Sequence, residues 1–379
     1  MSYKTYHESM QITRQFAFCP NAFRIDTYKG CSFCCEYCFA NMEWMGGKQK
    51  YSWAIADMDK VERYFYRAFE TDKDWKSIIV ELLRHRVPLH CGGMSDPFQH
   101  REWEIGNTKR LIDLSNHYDY PIIFSTKTSS LHNSYYDILN PKLHAFQISI
   151  MGWSNDYIKK WERNTPTAQE RCEFVQLLRN DFDIWCSVRI QPVIDVEEAL
   201  LLCRYLGDTN VSYVTVEHFK ATYDATASVN AFLDKVQNKQ DFISTDGRIQ
   251  TKRDVKLRNI QRIQEVCNKQ GIKVGVGDND LHYLSQSRNC CGTDLIGGAF
   301  DNYLKYNLTY MCTGEFDTAD MFIPTKNPRK HINDQKYGSV IDCKTYVDDY
   351  IRAHPDYLGQ NRENIQKQLF GKSQNSLFN

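Results

Sequence analysis

The sequence has 379 residues, enough for one large hydrophobic core or for one core with an appended segment. Its 47 basic and 47 acidic residues cancel, so no overall charge directs it to nucleic acid or to a membrane, and any basic groove must be local. No apolar run approaches the roughly 18 residues that span a bilayer and no signal peptide is recognisable, so we expect a cytoplasmic protein with no membrane partner and with reduced cysteines.

Residues 1–27 read as an N-terminal lead-in to the densest group of cysteines, four of which fall within residues 31–38. Cys31, Cys35 and Cys38 have the spacing C-x3-C-x2-C. One short loop with this spacing can present three thiolates to three corners of a cubane iron-sulfur cluster and leave the fourth iron open. In enzymes that make a carbon radical, the open iron holds S-adenosylmethionine (SAM). The loop therefore predicts a 4Fe-4S cluster. Its spacing resembles the motif of the radical SAM superfamily, and that resemblance implies SAM as the partner of the cluster.

Other interpretations of these cysteines are weighed against this one. A disulfide framework does not suit a long chain without a signal peptide. A structural zinc site usually takes two C-x2-C pairs separated by about 15 residues. Here the pairs Cys31/Cys34 and Cys35/Cys38 adjoin. Cys34 leaves a second register open, in which it replaces Cys35 as the middle ligand.

Downstream of the cysteines, apolar runs alternate with helical periodicities about six times. This alternation predicts parallel strands joined by helices, in a barrel or an open doubly wound sheet. We divide the chain into the lead-in, a core domain over 28–280 with a polar insertion at 221–250, and a C-terminal extension over 281–379. The predicted strands are 87–91, 120–127, 145–150, 184–190, 211–216 and 272–276, and the predicted helices are 59–70, 108–115, 167–179, 196–206 and 256–269.

Six short motifs follow one another between about residues 21 and 194. They are Tyr28–Cys31 leading into Cys38–Ala40, Ser95–Gln99 with Glu102, Ser125–Lys127, Gln147–Ile150, Trp161–Pro166 with Arg171, and Arg189–Ile194. In this order they resemble the spore photoproduct lyase-like, or DNA repair photolyase-like, proteins of the radical SAM superfamily. That superfamily's motif usually carries an aromatic residue before the last cysteine. Tyr37 matches it, which favours Cys31, Cys35 and Cys38 as ligands.

The resemblance implies a partial (β/α)6 TIM-like barrel of the radical SAM type, with its chemistry at the carboxyl ends of the strands. It also implies that a reduced 4Fe-4S cluster cleaves SAM to a 5'-deoxyadenosyl radical, which abstracts hydrogen from a substrate. The substrate class it points to is a nucleic acid base, and the electron donor would be a flavodoxin or ferredoxin. Alternatives are modification of a peptide or small metabolite and a non-catalytic iron-sulfur or zinc protein.

The methionine part of SAM carries an ammonium and a carboxylate, so the strand ends beside the open iron need acceptors and a cation. Gly92 and Gly93 would allow close approach of the backbone. Ser95 or Asp96 would accept from the ammonium, and Lys127 would meet the carboxylate.

Three further residues at strand ends complete the predicted cofactor site. Ser149 resembles the family's contact to the cofactor. Arg189 and Glu217 are charges that would face the same cavity if the strands close into a barrel.

Cys91 is the predicted catalytic residue. True spore photoproduct lyases carry a hydrogen-donating cysteine two residues before the Ser-Asp pair, where this chain has Gly93. A shift of two positions keeps Cys91 on the same face of its strand, so we predict that its thiol points into the barrel and donates a hydrogen atom. The alternative is a buried cysteine packed against Val87 and Leu89.

The tail contains a further group of cysteines, Cys290 and Cys291 followed by Gly292, with Cys312 beyond them. Adjacent cysteines cannot easily bind one small cluster together. We therefore expect either one reactive thiol or two buried structural cysteines here.

Overall fold

A computed structural model describes the chain between residues 3 and 306 with short gaps. Residues outside the description are 1–2, 13–18, 20, 22, 39, 41–52, 74, 76, 223–225, 246–247, 279, 288 and 307–379. Cys312 and most of the predicted C-terminal extension lie outside the described residues.

The described strands are short in the first 60 residues and longer afterwards. They are β1 (Thr5–Tyr6), β2 (Met10–Ile12), β3 (Phe23–Ile25), β4 (Tyr28–Lys29), β5 (Ala54–Ala56), β6 (Leu89–Cys91), β7 (Ile122–Thr126), β8 (His144–Ser149), β9 (Trp185–Val193), β10 (Tyr213–His218), β11 (Lys220–Thr222), β12 (Phe242–Thr245), β13 (Arg248–Thr251) and β14 (Lys273–Val276).

Helices occupy most of the connections between the longer strands. They are α1 (Met58–Phe69), α2 (Ile78–Arg84), α3 (Glu102–Ile105), α4 (Asn107–Tyr118), α5 (Asn133–Tyr136), α6 (Asn155–Trp161), α7 (Ala168–Asp181), α8 (Val196–Leu206), α9 (Thr226–Leu233) and α10 (Arg253–Asn268). Short 3-10 turns cover Lys239–Asp241, His282–Leu284, Thr293–Leu295 and Gly298–Tyr306.

Local sequence signals explain where several helices begin. The Asp57 carboxylate accepts from the backbone N–H of Lys60 at 2.9 Å and so caps α1. Thr167 and Glu170 form a capping box at the start of α7, with each side chain bonded to the other residue's backbone. These caps satisfy amide groups that the first helical turn leaves without partners.

One large sheet of eight strands organises the described part of the chain. Its order is β14-β10-β9-β8-β7-β6-β3-β2, and all neighbours are parallel except the edge pair β2 and β3. Parallel pairing places the carboxyl ends of β3, β6–β10 and β14 along one edge. A mixed α/β fold with a large parallel sheet is therefore confirmed, while its closure into a partial barrel stays a prediction.

The six predicted strands coincide with β6–β10 and β14, and the predicted helices coincide with α1, α4, α7, α8 and α10, with shifts of a few residues at their ends. The predicted lead-in contributes β2 and β3 to the large sheet and β1 to a smaller sheet with β4 and β5. The polar insertion forms a three-stranded antiparallel sheet of β11, β13 and β12. Within the described residues, no helix is both long and apolar enough to cross a membrane.

The two faces of the large sheet differ in chemistry. Along β8, Phe146 and Ile148 pack with the helices in the main hydrophobic cluster, whereas Gln147 between them points to the opposite face. Near the amino ends of the strands, that opposite face is apolar and is covered by Phe300. Further along, it carries polar side chains, of which we single out one from each of β6–β10. We call these residues the polar row: His90, Ser125, Gln147, Arg189 and Glu217.

Candidate functional site

The cysteine loop, residues 30–38, directly follows β4. Gly30 at its start has a φ of 86°, in the left-handed region where glycine alone carries no steric cost. Cys34 also has a positive φ, of 49°, and its thiol donates to the carbonyl oxygen of Cys31 at 3.5 Å. The backbone N–H of Cys38 donates to the Cys35 carbonyl at 3.3 Å, so the loop turns tightly between its last two cysteines.

Three thiols of the loop lie near one another. Cys31, Cys35 and Cys38 are close enough to interact electrostatically with one another. Burial raises the pKa of Cys31 to about 12 and raises that of Cys35 well above its usual value. A bound metal would overcome this effect, because coordination deprotonates a thiol outright. The grouping fits the register in which these three are the ligands, and that assignment stays a prediction.

The donor atoms of the cysteine loop suit an iron-sulfur cluster. Among the residues that the structure describes, no three histidine, cysteine, aspartate or glutamate side chains are placed to hold one metal ion. A cubane takes one thiolate at each of three irons, so its ligands stand apart. Thiolates are also the donors that iron-sulfur clusters use. The residues present therefore fit the predicted cluster.

Gln99 is hydrogen-bonded to the backbone of the first half of the cysteine loop. Its side chain is fully buried, donates to the Gly30 carbonyl at 3.2 Å and accepts from the backbone N–H of Ser32 at 3.0 Å. It also donates to the Ser95 hydroxyl at 3.3 Å, and that hydroxyl donates to the same Gly30 carbonyl at 3.1 Å. The segment after β6 thus fixes the backbone around Cys31.

The segment after α6 holds the same loop from the other side. Asn164 donates to the Ser32 carbonyl at 3.0 Å, and the Glu36 backbone N–H donates to the Trp161 carbonyl at 2.9 Å. The Glu36 carboxylate forms ion pairs with Arg163 at 3.2 Å and with Lys235 from the insertion at 3.0 Å. The insertion therefore contacts the cysteine loop directly.

Glu162 joins the loop to the cations of the site. Its fully buried carboxylate accepts from the Tyr37 hydroxyl and forms ion pairs with Lys127 at 3.0 Å and with Arg171 at 2.8 Å. Burial alone would raise the pKa of Glu162, but the two cations lower it to about 2. Lys127 also lies 5.6 Å from the centre of the Tyr37 ring. Arg171 extends the network by donating to the Ser149 carbonyl at 2.7 Å.

Glu102 fixes the strand that leads into the loop. Its buried carboxylate accepts from the hydroxyls of Tyr28 and Tyr135 and from the backbone N–H groups of Thr108 at 3.0 Å and Lys109 at 2.9 Å. Burial raises its pKa although all four donors oppose that shift. Glu102 therefore ties β4 to the start of α4 and has a structural role.

The residues predicted to bind the methionine ammonium lie directly after β6. Gly92 has a φ of 104°, and a Cβ there would overlap the Ser125 carbonyl, so packing against β7 already requires this glycine. Gly93 lies beside the Arg24 side chain. Asp96 accepts from the Thr126 hydroxyl at 2.8 Å and from the Lys127 N–H at 2.7 Å. It also accepts from the backbone N–H of Phe98, so one acceptor position of the carboxylate is left for another donor.

Lys127 and Ser149 end neighbouring strands near the cysteine loop. The Lys127 side chain is 17% exposed and its ammonium is paired with Glu162. Burial alone would lower its pKa, but Glu162 raises it, so the side chain stays charged. Ser149 is the last residue of β8 and is half-buried. The structure thus brings both residues to the same edge, and their contacts to a cofactor stay predictions.

Arg189 and Glu217 form an ion pair within the polar row. Their guanidinium and carboxylate are 2.6 Å apart, and Lys220 pairs with the other oxygen of Glu217 at 2.6 Å. Although burial would raise the pKa of Glu217, Lys220 and Arg189 lower it. Arg189 also donates to Gln147 at 3.3 Å. The row is therefore one connected network across the strands.

Cys91 lies on the other face of the sheet. It is fully buried in the main hydrophobic cluster together with Leu89, while His90 between them points to the polar row. Its thiol interacts with Thr27 rather than with the polar row. This packing matches the alternative of a buried core cysteine, and the predicted hydrogen donation would need the thiol to leave this position.

Comparison with known proteins finds matches among solved structures, whereas no family model and no curated protein matches the chain. Spore photoproduct lyase with bound AdoMet and dinucleoside spore photoproduct is 14% identical over 70% of this chain and 78% of the lyase, with a TM-score of 0.48. Spore photoproduct lyase complexed with dinucleoside spore photoproduct is 15% identical over 68% and 77%, with a TM-score of 0.47. SuiB of Streptococcus suis bound to S-adenosylmethionine is 12% identical over 75% and 56%, with a TM-score of 0.42. All three neighbours overlay this chain with TM-scores below 0.5.

Sequence reasoning gave no role to the residues that position the cysteine loop. Gln99, Glu102, Glu162 and Asn164 stand in the motifs that carry the resemblance, and Arg171 accompanies one of them. The signal that could have found them is polar residues inside otherwise apolar surroundings at the ends of predicted strands. Buried polar side chains need hydrogen-bond partners, and the cysteine loop supplies them as backbone N–H and C=O groups that are not used in a helix or sheet.

Proposed function

We propose that this protein is a radical SAM enzyme in which Cys31, Cys35 and Cys38 hold a 4Fe-4S cluster and SAM binds beside Lys127. The cluster, when bound, supplies the electron that cleaves SAM to a 5'-deoxyadenosyl radical, and this radical abstracts hydrogen from the substrate. The protein's own part is to hold the thiolates, orient the methionine end of SAM and position the substrate.

The observation that carries the proposal is the grouping of three thiols on a loop held at the carboxyl edge of a parallel sheet. The loop is bonded to Gln99 after β6 and to Glu162 after α6, and Tyr37 contacts Lys127 at the end of β7. In parallel sheets, ligands bind outside the carboxyl ends of the strands. A cofactor bound at this loop would therefore lie where such folds carry out chemistry.

The ion pair at this edge supports the assignment of Lys127 to the methionine carboxylate. The ammonium has three donors, of which Glu162 uses one and the Tyr37 ring faces another side. A second carboxylate could approach the same ammonium while Glu162 keeps its position through Arg171. The Lys127→Met variant should therefore weaken SAM binding by about 2–3 kcal/mol, and isothermal titration of the reconstituted protein would measure this.

The proposed reaction is tested by anaerobic reconstitution with iron and sulfide, with dithionite in place of a flavodoxin or ferredoxin. A radical SAM enzyme should release 5'-deoxyadenosine from SAM under these conditions. Alanine variants of Cys31, Cys35 and Cys38 should not form 5'-deoxyadenosine. The Cys34→Ala variant is their matched control, because Cys34 belongs to the same loop but its thiol bonds to a backbone carbonyl. Reconstituted protein that binds iron but never forms 5'-deoxyadenosine would contradict the proposal.

For the substrate we propose a nucleic acid base. The sequence resemblance supports this class, and such a base would have to be turned out of its stack to reach a cofactor at the strand ends. Binding to single-stranded and double-stranded DNA across a salt series tests it, since phosphate contacts make affinity fall steeply with salt. Absence of binding at low salt would favour a peptide or small metabolite instead.

A further inference from the structure

The segment after β14 lies across the polar row and carries Cys290 and Cys291. The Thr215 hydroxyl donates to the Cys290 carbonyl at 2.6 Å, and the Asn289 side chain accepts from the Cys291 backbone N–H at 3.0 Å. Gly292 follows with a φ of 66°, and a Cβ there would meet the Tyr213 ring at 2.6 Å. Fixed bonds on both sides therefore hold the two cysteines against the sheet.

The two thiols contact each other and one of them contacts a cation. The sulfur atoms of Cys290 and Cys291 are 3.5 Å apart, and the Cys291 sulfur is 3.9 Å from the Arg189 guanidinium. The two residues are 9% and 5% exposed. A thiol beside a guanidinium is the arrangement that stabilises a thiolate.

The surroundings make the two thiols unequal. The hydrogen bond from Cys290, opposed by burial and assisted by Arg189 and Gln147, lowers the pKa of Cys291 to about 7. The same hydrogen bond, together with burial, raises the pKa of Cys290 well above its usual value. Tyr213 also faces this pair, Cys19 lies close to Cys291, and Glu217 is bonded to Arg189.

A second pair of neighbouring thiols shows what this arrangement adds. Cys203 on α8 and Cys267 on α10 are both fully buried in the main hydrophobic cluster and share a hydrogen bond. Their hydrogen bond and burial raise the pKa of Cys203 well above its usual value, and the opposing effect of Arg204 is smaller. That pair is expected to be inert, because both thiols are fully buried in apolar surroundings.

We propose that Cys290 and Cys291 form a reactive dithiol site for low-molecular-weight disulfides, with Cys291 as the attacking thiolate and Cys290 as the resolving thiol. The Cys291 thiolate attacks one sulfur of the disulfide, forming a mixed disulfide and releasing one thiolate. Cys290 then loses its proton and attacks the Cys291 sulfur, which forms the Cys290–Cys291 disulfide and releases the second thiolate. The protein loses two electrons and two protons, and the small disulfide becomes two thiols. This site goes beyond the proposed function and does not require a cluster.

The internal disulfide should be labile. Adjacent residues joined by a trans peptide have Cα atoms about 3.8 Å apart, whereas disulfides usually span about 4.4–6.8 Å. Such strain makes a disulfide easier to reduce. The pair would therefore return to the dithiol form in a reducing compartment and would react again.

The test uses the full chain without reconstitution, treated with oxidised glutathione and then alkylated. Trypsin releases residues 289–305 as one peptide that contains these two cysteines and no other. We expect this peptide first to carry one glutathione and then to become lighter by two hydrogen atoms as the internal disulfide forms. The peptides of Cys203 and Cys267 should stay unmodified over the same time.

Two variants separate the roles of the two thiols and of the cation. Cys290→Ser, or Cys290→Ala if the serine variant does not fold, should stop at the glutathione adduct on Cys291. Arg189→Gln should slow the modification of Cys291 by about tenfold near neutral pH, because the thiolate fraction falls. Lys220→Gln is the matched control, since Lys220 pairs with Glu217 of the same row. Lys220→Gln should change the rate by less than about twofold. The Lys220 ammonium is separated from Cys291 by Glu217 and Arg189, so its effect on the thiolate is partly screened.

Three results would overturn the proposal. If the 289–305 peptide is modified no faster than the Cys203 and Cys267 peptides, the site contains no reactive thiol. Equal rates in folded Arg189→Gln and wild-type protein would remove the role of the guanidinium. A cross-link from this peptide to Cys19, in place of the internal disulfide, would remove Cys290 as the resolving thiol.

Discussion

The cysteine loop is anchored at both ends by a buried carboxylate that accepts from a tyrosine, and the two anchors differ in charge. Glu102 bonds to Tyr28 before the loop, and Glu162 bonds to Tyr37 within it. Glu102 is surrounded by neutral donors, and its pKa is raised by burial. Glu162 faces two cations, and its pKa is lowered to about 2 in spite of burial.

The difference indicates separate tasks for the two ends of the loop. Neutral donors around Glu102 satisfy a carboxylate without placing charge near the thiols, so this end serves the fold. At the other end Glu162 forms ion pairs with Lys127 and Arg171 next to the predicted cluster. A charged cofactor can use cations, which is why we place the methionine end of SAM beside Glu162 rather than beside Glu102.

The largest effect is expected from Glu162→Gln. This substitution leaves Lys127 and Arg171 buried without their shared counter-charge, so the free energy of unfolding should fall by about 3–5 kcal/mol. Urea denaturation measures it. Glu36→Gln is the control, because Glu36 also pairs with two cations but is 24% exposed at its side chain. It should cost less than about 1 kcal/mol; equal costs would show that Glu162 is not a special anchor.

Acid should act on the two anchors in opposite directions. The Glu162 pKa in the folded chain is about 2, against a usual value of 4.5, so its contribution is present above pH 4.5 and is lost as the pH falls through 2. The stability difference between wild type and Glu162→Gln should therefore shrink by about 3 kcal/mol over that window. The raised Glu102 pKa gives a contribution that is present at low pH and is lost as the pH rises through the folded value. Parallel slopes of the unfolding free energy against pH for Glu162→Gln and Glu102→Gln would contradict this assignment.

A smaller effect is expected from Glu102→Gln. Each carboxylate oxygen of Glu102 accepts from one tyrosine hydroxyl and one backbone N–H. The glutamine amide nitrogen would face one such pair of donors, so unfolding should become easier by about 1–3 kcal/mol. Thermal denaturation is a suitable measurement. Glu104→Gln on the exposed side of α3 is the control and should stay within about 0.5 kcal/mol of wild type.

The smallest effect is expected from Asn164→Ala, which removes one exposed hydrogen bond to the Ser32 carbonyl. The global free energy of unfolding should change by no more than about 1 kcal/mol. Amide hydrogen exchange within the cysteine loop should nevertheless become faster, because the loop loses one of its supports. Unchanged exchange there would mean that Gln99 alone fixes this part of the loop.

The longer elements of the fold could be predicted from sequence because each has a readable period. β7 and β8 are apolar runs bounded by turn residues, and α8 shows apolar residues at helical spacing. The strands before residue 57 have two or three residues each, too few to show any period. Their pairing depends on tertiary contacts, and the sequence predicts only a lead-in there.

The site was only partly predictable for a related reason. The spacing of Cys31, Cys35 and Cys38 is local and can be read directly. Glu162 could not be found in this way, since Tyr37 lies 125 positions away from it in the chain. Strand alternation correctly groups Cys91 with Leu89, but alternation states which residues share a face and not which face meets the helices.

The most direct test of the central claim is iron binding by four single variants of the cysteine loop. Cys31→Ala, Cys35→Ala and Cys38→Ala should lose the brown chromophore after anaerobic reconstitution, whereas Cys34→Ala should keep it with about four irons per chain, as in wild type. Loss at Cys34 with retention at Cys35 would contradict the account and assign the cluster to the other register.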